Sequence, residues 1–320
     1  VPVKCTQNPT ISEEWRKGWH PETPAISRKI EKHLIIGSGP SGLECAVTLA
    51  NAGHEVTVAE AKDEPGGRIA QESKLPGLNT WRRVIDYRIF QLSHKKNAKI
   101  FLSSHMSIND ITDFNSDTVT IATGATWRND FIGSTNFDPI ETNTYNILTP
   151  EDIILEKFKN SHKTKFIIYD DDHNYMASVI AEKLLNNGHD VTYVTPLPTV
   201  STWTQYTLEQ AAIIERLKSL GIKFALNYKI NQNFEFVNTI NNKKLKLNSK
   251  NIIVVGGRIP NDQLYDDCKL IESLQNVFLT GDCLVPGTIQ AAVLSGHQIA
   301  RKILQIGSKV SYSKREQTIQ

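Results

Sequence analysis

His33-Leu34-Ile35-Ile36-Gly37-Ser38-Gly39-Pro40-Ser41-Gly42 reads as a short apolar strand that runs through a G-x-G-x-x-G turn into a helix. Each glycine has its own task in such a turn. Gly37 permits the tight bend, Gly39 lets backbone approach a pyrophosphate, and Gly42 lets the helix pack close to the strand. The helix starting near Pro40 and Ser41 aims its N–H groups and the positive end of its dipole at the phosphates. A second strand, Glu55 to Ala59, ends on Glu60, 18 residues beyond Gly42. A carboxylate there can accept hydrogen bonds from ribose hydroxyls. Strand, turn, helix, strand and acid in this order point to a bound adenine nucleotide.

The whole chain is compatible with that site. Its 320 residues suffice for two medium domains with cores of their own. A hydrophobic fraction of 39% and a charged fraction of 22% are those of a soluble globular protein. The net charge of +2 gives no reason to expect nucleic acid or an anionic membrane as partner. No run approaches the ~18 apolar residues of a membrane span, and the first residues lack the apolar core of a signal peptide. Cys5, Cys45, Cys268 and Cys283 show no paired spacing, which suits a reducing cytoplasm better than a disulfide framework. Residues 308–320 are polar and are expected to form a loose tail.

A repeat sets the domain plan. Asn51-Ala52-Gly53-His54-Glu55-Val56-Thr57-Val58 returns as Asn187-Gly188-His189-Asp190-Val191-Thr192-Tyr193, after an apolar helix both times. A strand, Lys165 to Tyr169, precedes the second helix, so the chain holds two βαβ units, one inserted in the frame of the other. The expected fold is α/β, with two nested Rossmann-like units in three ββα/βα layers. This is the plan of disulfide-reductase-like flavoproteins, one unit for FAD and one for NAD(P). The expected divisions are an arm over 1–30, a nucleotide domain over 31–160 and 250–307, and an inserted domain over 161–249.

The second unit lacks the glycines of the first. Aligned on the strands, their places fall to Asp170, Asp172 and Tyr175; aligned on the helices, to Asp172, Asn174 and Ala177. Asp170, Asp171 and Asp172 would face the position of a pyrophosphate, where like charge is costly. The next strand ends at Thr195, not at an acid or arginine suited to a ribose. Three aspartates also offer hard oxygen ligands to a divalent cation, but adjacent residues point in different directions. The reading adopted is a retained scaffold with no functional NAD(P) site.

Further segments belong to the first site. Thr118 to Ile121 is a strand ending in Ala122-Thr123-Gly124, where the chain crosses between the units. Asn276 to Leu279 ends in Thr280-Gly281-Asp282, and Gly287-Thr288-Ile289 opens a C-terminal helix. Glu64-Pro65-Gly66-Gly67-Arg68 adds a glycine pair and an arginine suited to phosphate or flavin.

These residues, with Cys5-Thr6-Gln7-Asn8-Pro9, Arg16-Lys17-Gly18-Trp19-His20-Pro21-Glu22, Leu75-Pro76-Gly77-Leu78, Ala125-Thr126-Trp127, Asp172-His173 and Cys283-Leu284-Val285-Pro286-Gly287, carry a resemblance over nearly the whole chain. It resembles the C-terminal half of the trimethylamine dehydrogenase family, with its dimethylglycine and betaine demethylase branch, and more distantly 2,4-dienoyl-CoA reductase. The resemblance implies an oxidoreductase, an electron-transfer flavoprotein acting as an amine dehydrogenase or N-demethylase. Complete members carry an FMN TIM barrel on an N-terminal half, then a 4Fe–4S iron–sulfur cluster, then the half seen here. The barrel would belong to a partner subunit or a missing N-terminal half. Cys5 would give the cluster one ligand, the other three lying upstream; the alternative is a vestigial cysteine.

The implied cofactor contacts are Gly37, Gly39, Pro40, Ser41, Gly42, Glu60, Ala61, Gly67, Arg68, Met106, Ala122, Thr123, Gly124, Gly281, Asp282, Thr288 and Ile289. They suit FAD, or ADP alone in the same place, since the turn glycines and Glu60 touch only the shared ADP half. The resemblance also implies an electron-transferring flavoprotein as acceptor, for which Trp81, Arg82 and Arg83 form a candidate docking segment.

Overall fold

Leu34, Ile35 and Ile36 bury both faces of β1 (Lys32–Ile36), which makes it an interior strand. The structure is a computed structural model that describes residues 3–16, 19, 22–158 and 162–305. The polar tail, and Lys17, Gly18, His20 and Pro21 of the arm, lie outside the described residues. Two units are present. The first comprises Val1–Ser73, Thr80–Ala125 and Pro260–Gln320; the second comprises Lys74–Asn79 and Thr126–Ile259.

In unit 1, β1 is followed by α1 (Pro40–Asn51), β2 (Glu55–Ala59), α2 (Arg68–Glu72), α3 (Arg83–Ser93), β3 (Ala98–Phe101), α4 (Ile108–Phe114) and β4 (Thr118–Ile121). The chain leaves along β5 (Ala125–Trp127). Unit 2 contains β6 (Asn146–Leu148), α5 (Pro150–Ile154), β7 (Lys165–Asp170), α6 (Met176–Asn186), β8 (Asp190–Thr195), α7 (Gln210–Ser219) and β9 (Lys223–Leu226). Three short strands follow, β10 (Tyr228–Ile230), β11 (Phe236–Asn238) and β12 (Lys244–Leu245), then β13 (Asn251–Val255). The return runs along β14 (Arg258–Pro260) to α8 (Gln263–Lys269), β15 (Val277–Leu279) and α9 (Ile289–Ile303).

The units repeat one sheet arrangement, except that the edge strand comes last in the chain in unit 1 (β15) and first in unit 2 (β6). Sheet order in unit 1 is β15-β4-β1-β2-β3 and in unit 2 β6-β13-β7-β8-β9. All neighbours in both sheets run parallel. The side-chain period of two sorts the cores. In unit 1, Ile35 joins Val56 and Val58 under α1, α3 and α9, while Leu34 and Ile36 face the other way with Ile111 of α4 and Cys268 of α8.

The third layer differs between the units. Unit 2 crosses from β9 to β13 through the antiparallel β10-β11-β12, whose Ile230 and Phe236 pack on Ile167, Tyr169 and Val254. Unit 1 makes the equivalent crossing through α4. Unit 2 is also wider than the expected 161–249, because β6 and β13 are hydrogen-bonded into its sheet and bring their connections with them. Among the described residues, no helix is long and apolar enough to cross a membrane.

Candidate functional site

Parallel strands of unit 1 deliver the sequence-selected residues to one sheet edge, the carboxyl ends of β1, β2, β4 and β15. Strand order reverses on the two sides of β1, and in open α/β sheets the crevice at such a switch point takes the ligand. Gly37 bends the chain with φ +104°, and a Cβ on it would lie 2.4 Å from the Ala122 carbonyl oxygen. A Cβ on Gly42 would lie 2.1 Å from the Gly37 oxygen, so α1 reaches its strand only without a side chain there. Gly39 differs: its Cβ would meet nothing within 4 Å. The helix begins beside that open space with Pro40 in its first turn and no side-chain cap on its N-terminus. These features fit a dinucleotide's pyrophosphate.

Glu60 closes the sugar side. It is buried; its Oε2 accepts the Ser38 N–H at 2.8 Å and the Ser38 hydroxyl at 2.6 Å, and its Oε1 accepts the Lys62 N–H at 3.0 Å. Oε1 therefore keeps capacity for a further hydroxyl donor. Ser38, which the motif treats as a spacer, also accepts the Gly66 N–H through its carbonyl oxygen at 3.0 Å. It thus ties the Gly66-Gly67 loop to the turn, and Gly67 lies over Gly39.

At the far side, Arg68 and Asp282 meet one another: Arg68 Nη2 donates to Asp282 Oδ2 at 2.9 Å, and Arg68 Nη1 lies 3.4 Å from Glu72. Asp282 Oδ1 accepts the Gly287 N–H at 3.0 Å. Gly281 presses on Ser41, whose hydroxyl joins Thr280, and Thr280 joins Ser295. Thr288 caps α9 by accepting the Ala291 N–H.

Other candidates are turned inward or elsewhere. Thr123 Oγ1 and the Gly124 carbonyl bond to Asn261, and Ala122 N–H to Ile36. Met106 and Ile289 pack their side chains on the two cores of unit 1, while Ala61 is exposed. Trp81 packs against the α1 side of the sheet; Arg82 pairs with Asp86 and Glu64, and Arg83 is exposed.

The matching edge of unit 2 is filled by its own carboxylates. Asp170 accepts the Tyr193 hydroxyl at 2.5 Å and the His173 N–H at 2.9 Å. Asp171 accepts the N–H groups of Thr135 and Asn136. Both carboxylates are therefore buried and occupied, rather than displayed together around the turn as the sequence suggested. Only Asp172 stays partly exposed; burial and the Asp170 charge push its carboxyl up to about 6. His173 stands at φ +63° with Nε2 3.2 Å from Asp171 Oδ1. Burial would lower its pKa, but the two carboxylates outweigh burial and raise it to about 9. The two carboxylates thus favour the imidazolium form of His173 in the turn of unit 2.

Cys5 is partly buried, and its Sγ accepts the Gln7 N–H at 3.3 Å. Cys45 is buried in the core on the α1 side of the sheet, and Cys268 and Cys283 are buried in the core on its other side. Among the described residues the grouping with metal-ligand spacing is Glu31, His33 and His54. His54 Nδ1 accepts the Glu31 N–H, which leaves its proton on Nε2, so that ring has no lone pair to give. Burial, then the neighbouring His54, lowers His33 to about 4. The two imidazoles form an edge-on packing pair at the start of β1, and Glu31 is drawn to Lys29, 2.9 Å away.

A family model described as pyridine nucleotide-disulphide oxidoreductase matches residues 31–296, with a further match over 4–75. Dimethylamine dehydrogenase of Hyphomicrobium sp. (strain x) is 31% identical over 339 residues, covering 95% of this chain and 46% of that protein. Among solved structures, histamine dehydrogenase from Rhizobium sp. 4-9 superposes with TM-score 0.91 at 35% identity, over 99% of this chain and 51% of the other. The 6-hydroxypseudooxynicotine amine oxidase of Pseudomonas geniculata N1 gives TM-score 0.88 at 35% identity, over 94% and 46%. The chain spans about half the length of the relatives it matches.

Proposed function

We propose that this chain, which belongs to the pyridine nucleotide-disulphide oxidoreductase family, is the nucleotide-binding, electron-carrying portion of an oxidoreductase that dehydrogenates or demethylates methylated amines. The observation that carries this reading is the contrast between the two switch-point edges. In unit 1, Gly39 leaves open space before an uncapped helix, and Glu60 keeps an acceptor for a sugar hydroxyl. In unit 2, Asp170, Asp171 and His173 occupy the corresponding turn. One adenine nucleotide binds in unit 1, and NAD(P)H finds no productive site in unit 2.

The nucleotide is FAD, held at its ADP half by the turn and Glu60, with Arg68, Asp282 and the Thr288 end of α9 beyond. A bound flavin supplies a carrier of one or two electrons. The second reading is ADP in the same place, in a non-catalytic subunit that serves assembly. The blocked turn of unit 2 favours it, because a flavin here would lack a hydride donor within the chain. Cys5 supplies one thiolate to a 4Fe–4S cluster, which needs four; an FMN barrel carried by the remaining half supplies the rest. The N–H at its sulfur supports a thiolate ligand. Electrons leave to an electron-transferring flavoprotein.

An absorption spectrum of the purified chain separates the two readings. Flavin bands, with FAD released on denaturation, are the expected result. A colourless protein that releases ADP would replace the first reading with the second.

A further inference from the structure

Glu44 sits in the first turns of α1 among apolar neighbours, yet it is only 6% exposed. It belongs to a line of four buried polar side chains drawn from three helices. Arg88 of α3, 0% exposed, donates its Nε–H to Glu44 Oε2 at 2.8 Å. His297 of α9 meets Glu44 Oε1 through Nδ1 at 3.0 Å. Arg301, one turn further along α9, donates its Nε–H to His297 Nε2 at 3.1 Å. Since Nε2 accepts, the ring proton lies on Nδ1 and is donated to Glu44.

The line sets two guanidinium charges against one carboxylate. Such a surplus is costly to bury unless its remaining N–H groups find acceptors. Arg88 Nη1 donates to the Val84 carbonyl of its own helix at 2.7 Å, and further acceptors come from the N-terminal arm of the same unit. Arg88 Nη2 donates to the Gln7 carbonyl at 3.0 Å and Nη1 lies 3.4 Å from Gln7 Oε1. Arg301 Nη2 donates to the carbonyls of Trp19, at 3.5 Å, and Glu22. Trp19 is buried edge-on against the His297 ring, with centroids 4.9 Å apart.

We propose that Arg88, Glu44, His297 and Arg301 form a clamp that docks the arm on unit 1 and thereby positions Cys5. The thiol stands two residues from Gln7 and touches its N–H, so its place follows from where Arg88 holds the Gln7 carbonyl. The arm also lines an open cleft of about 610 Å³, with Gln7 and Glu22 on one side and Glu44, Thr48 and His297 on the other. Release of the arm strips acceptors from both arginines at once. Docking of the arm is therefore cooperative across α3 and α9. Only the use of Cys5 as a cluster ligand rests on the proposed function; the clamp does not.

Cys45, Cys268 and Cys283 are buried and Cys5 is partly exposed, so thiol alkylation of the 320-residue chain by iodoacetamide, followed by mass spectrometry, reads the arm. Arg88→Lys and Arg301→Lys keep the charges and lose the forked geometry. Both are expected to raise the Cys5 rate by about tenfold or more, with the other three thiols still protected. An unchanged Cys5 rate in either variant overturns the clamp, as does simultaneous reaction of all four thiols in both, which would mark general unfolding. A variant with a fast Cys5 rate but normal cluster assembly on a barrel-bearing partner would leave the clamp standing and count against its bearing on the cluster.

Discussion

Gly39 and Gly42 share one turn, yet a side chain would do opposite things at the two. At Gly42 the Cβ meets the Gly37 carbonyl oxygen, a fixed backbone atom. Gly42→Ala must push α1 off β1, with an expected loss of about 1–3 kcal/mol in urea denaturation. Wild-type stability in that variant would contradict the close approach. At Gly39 the Cβ enters open space at φ −68°, so Gly39→Val should fold as stably as the parent. His173 gives a pH signature. Its ordinary pKa of 6.5 is raised to about 9 in the folded chain, because the Asp170 and Asp171 carboxylates outweigh burial. Its stabilisation is complete below about pH 6.5 and is lost as pH climbs through 9. His173→Asn, which tolerates the left-handed backbone, is expected to cost about 1–3 kcal/mol at pH 6.5 and much less at pH 10. An equal cost at both pH values would show that the imidazole is neutral.

At the scale of elements, the two strand–turn–helix units began alike and diverged at the turn. The His173 ring and two occupied carboxylates stand in unit 2 where unit 1 keeps glycine, and replacing them with phosphate would strip the carboxylates of their donors. Calorimetric titration of NADH and NADPH is expected to show no binding tighter than ~1 mM, about −4 kcal/mol. Micromolar binding of either would sink the reading. The strands were legible in the sequence because apolar runs bounded by glycine turns leave little choice: Glu55–Ala59 is a strand as expected, and the Asn187-Gly188-His189 repeat lies between α6 and β8. The inward turn of Asp170 and Asp171 was not legible, since their partners Tyr193, Thr135 and Asn136 are remote in sequence. The core packing of Trp81, read as part of a docking segment, and of Met106, read as a cofactor contact, was not legible either, since both are flanked by polar residues and their core contacts come from other elements. The line from Glu44 to Arg301 did leave a trace. Charged residues interrupt the apolar positions of α1, α3 and α9, which is a signal of buried pairing.

Over the whole molecule, one sheet arrangement occurs twice and carries two different edges. The repeat made the nesting readable, while the extent of unit 2 was not. Its outer strand β6 is three residues long and joins the sheet only through β13, more than a hundred residues later. The crossing through α4 in unit 1 and through β10-β11-β12 in unit 2 was likewise hidden, because short amphipathic segments carry weak periodicity. The central claim is that unit 1 alone holds an adenine nucleotide. Chromatography of the nucleotide released on denaturation tests it, comparing the parent chain with Gly39→Val at equal stability. The account expects one FAD, or one ADP, per parent chain and essentially none in the variant. Equal nucleotide in both would place the site elsewhere and contradict it.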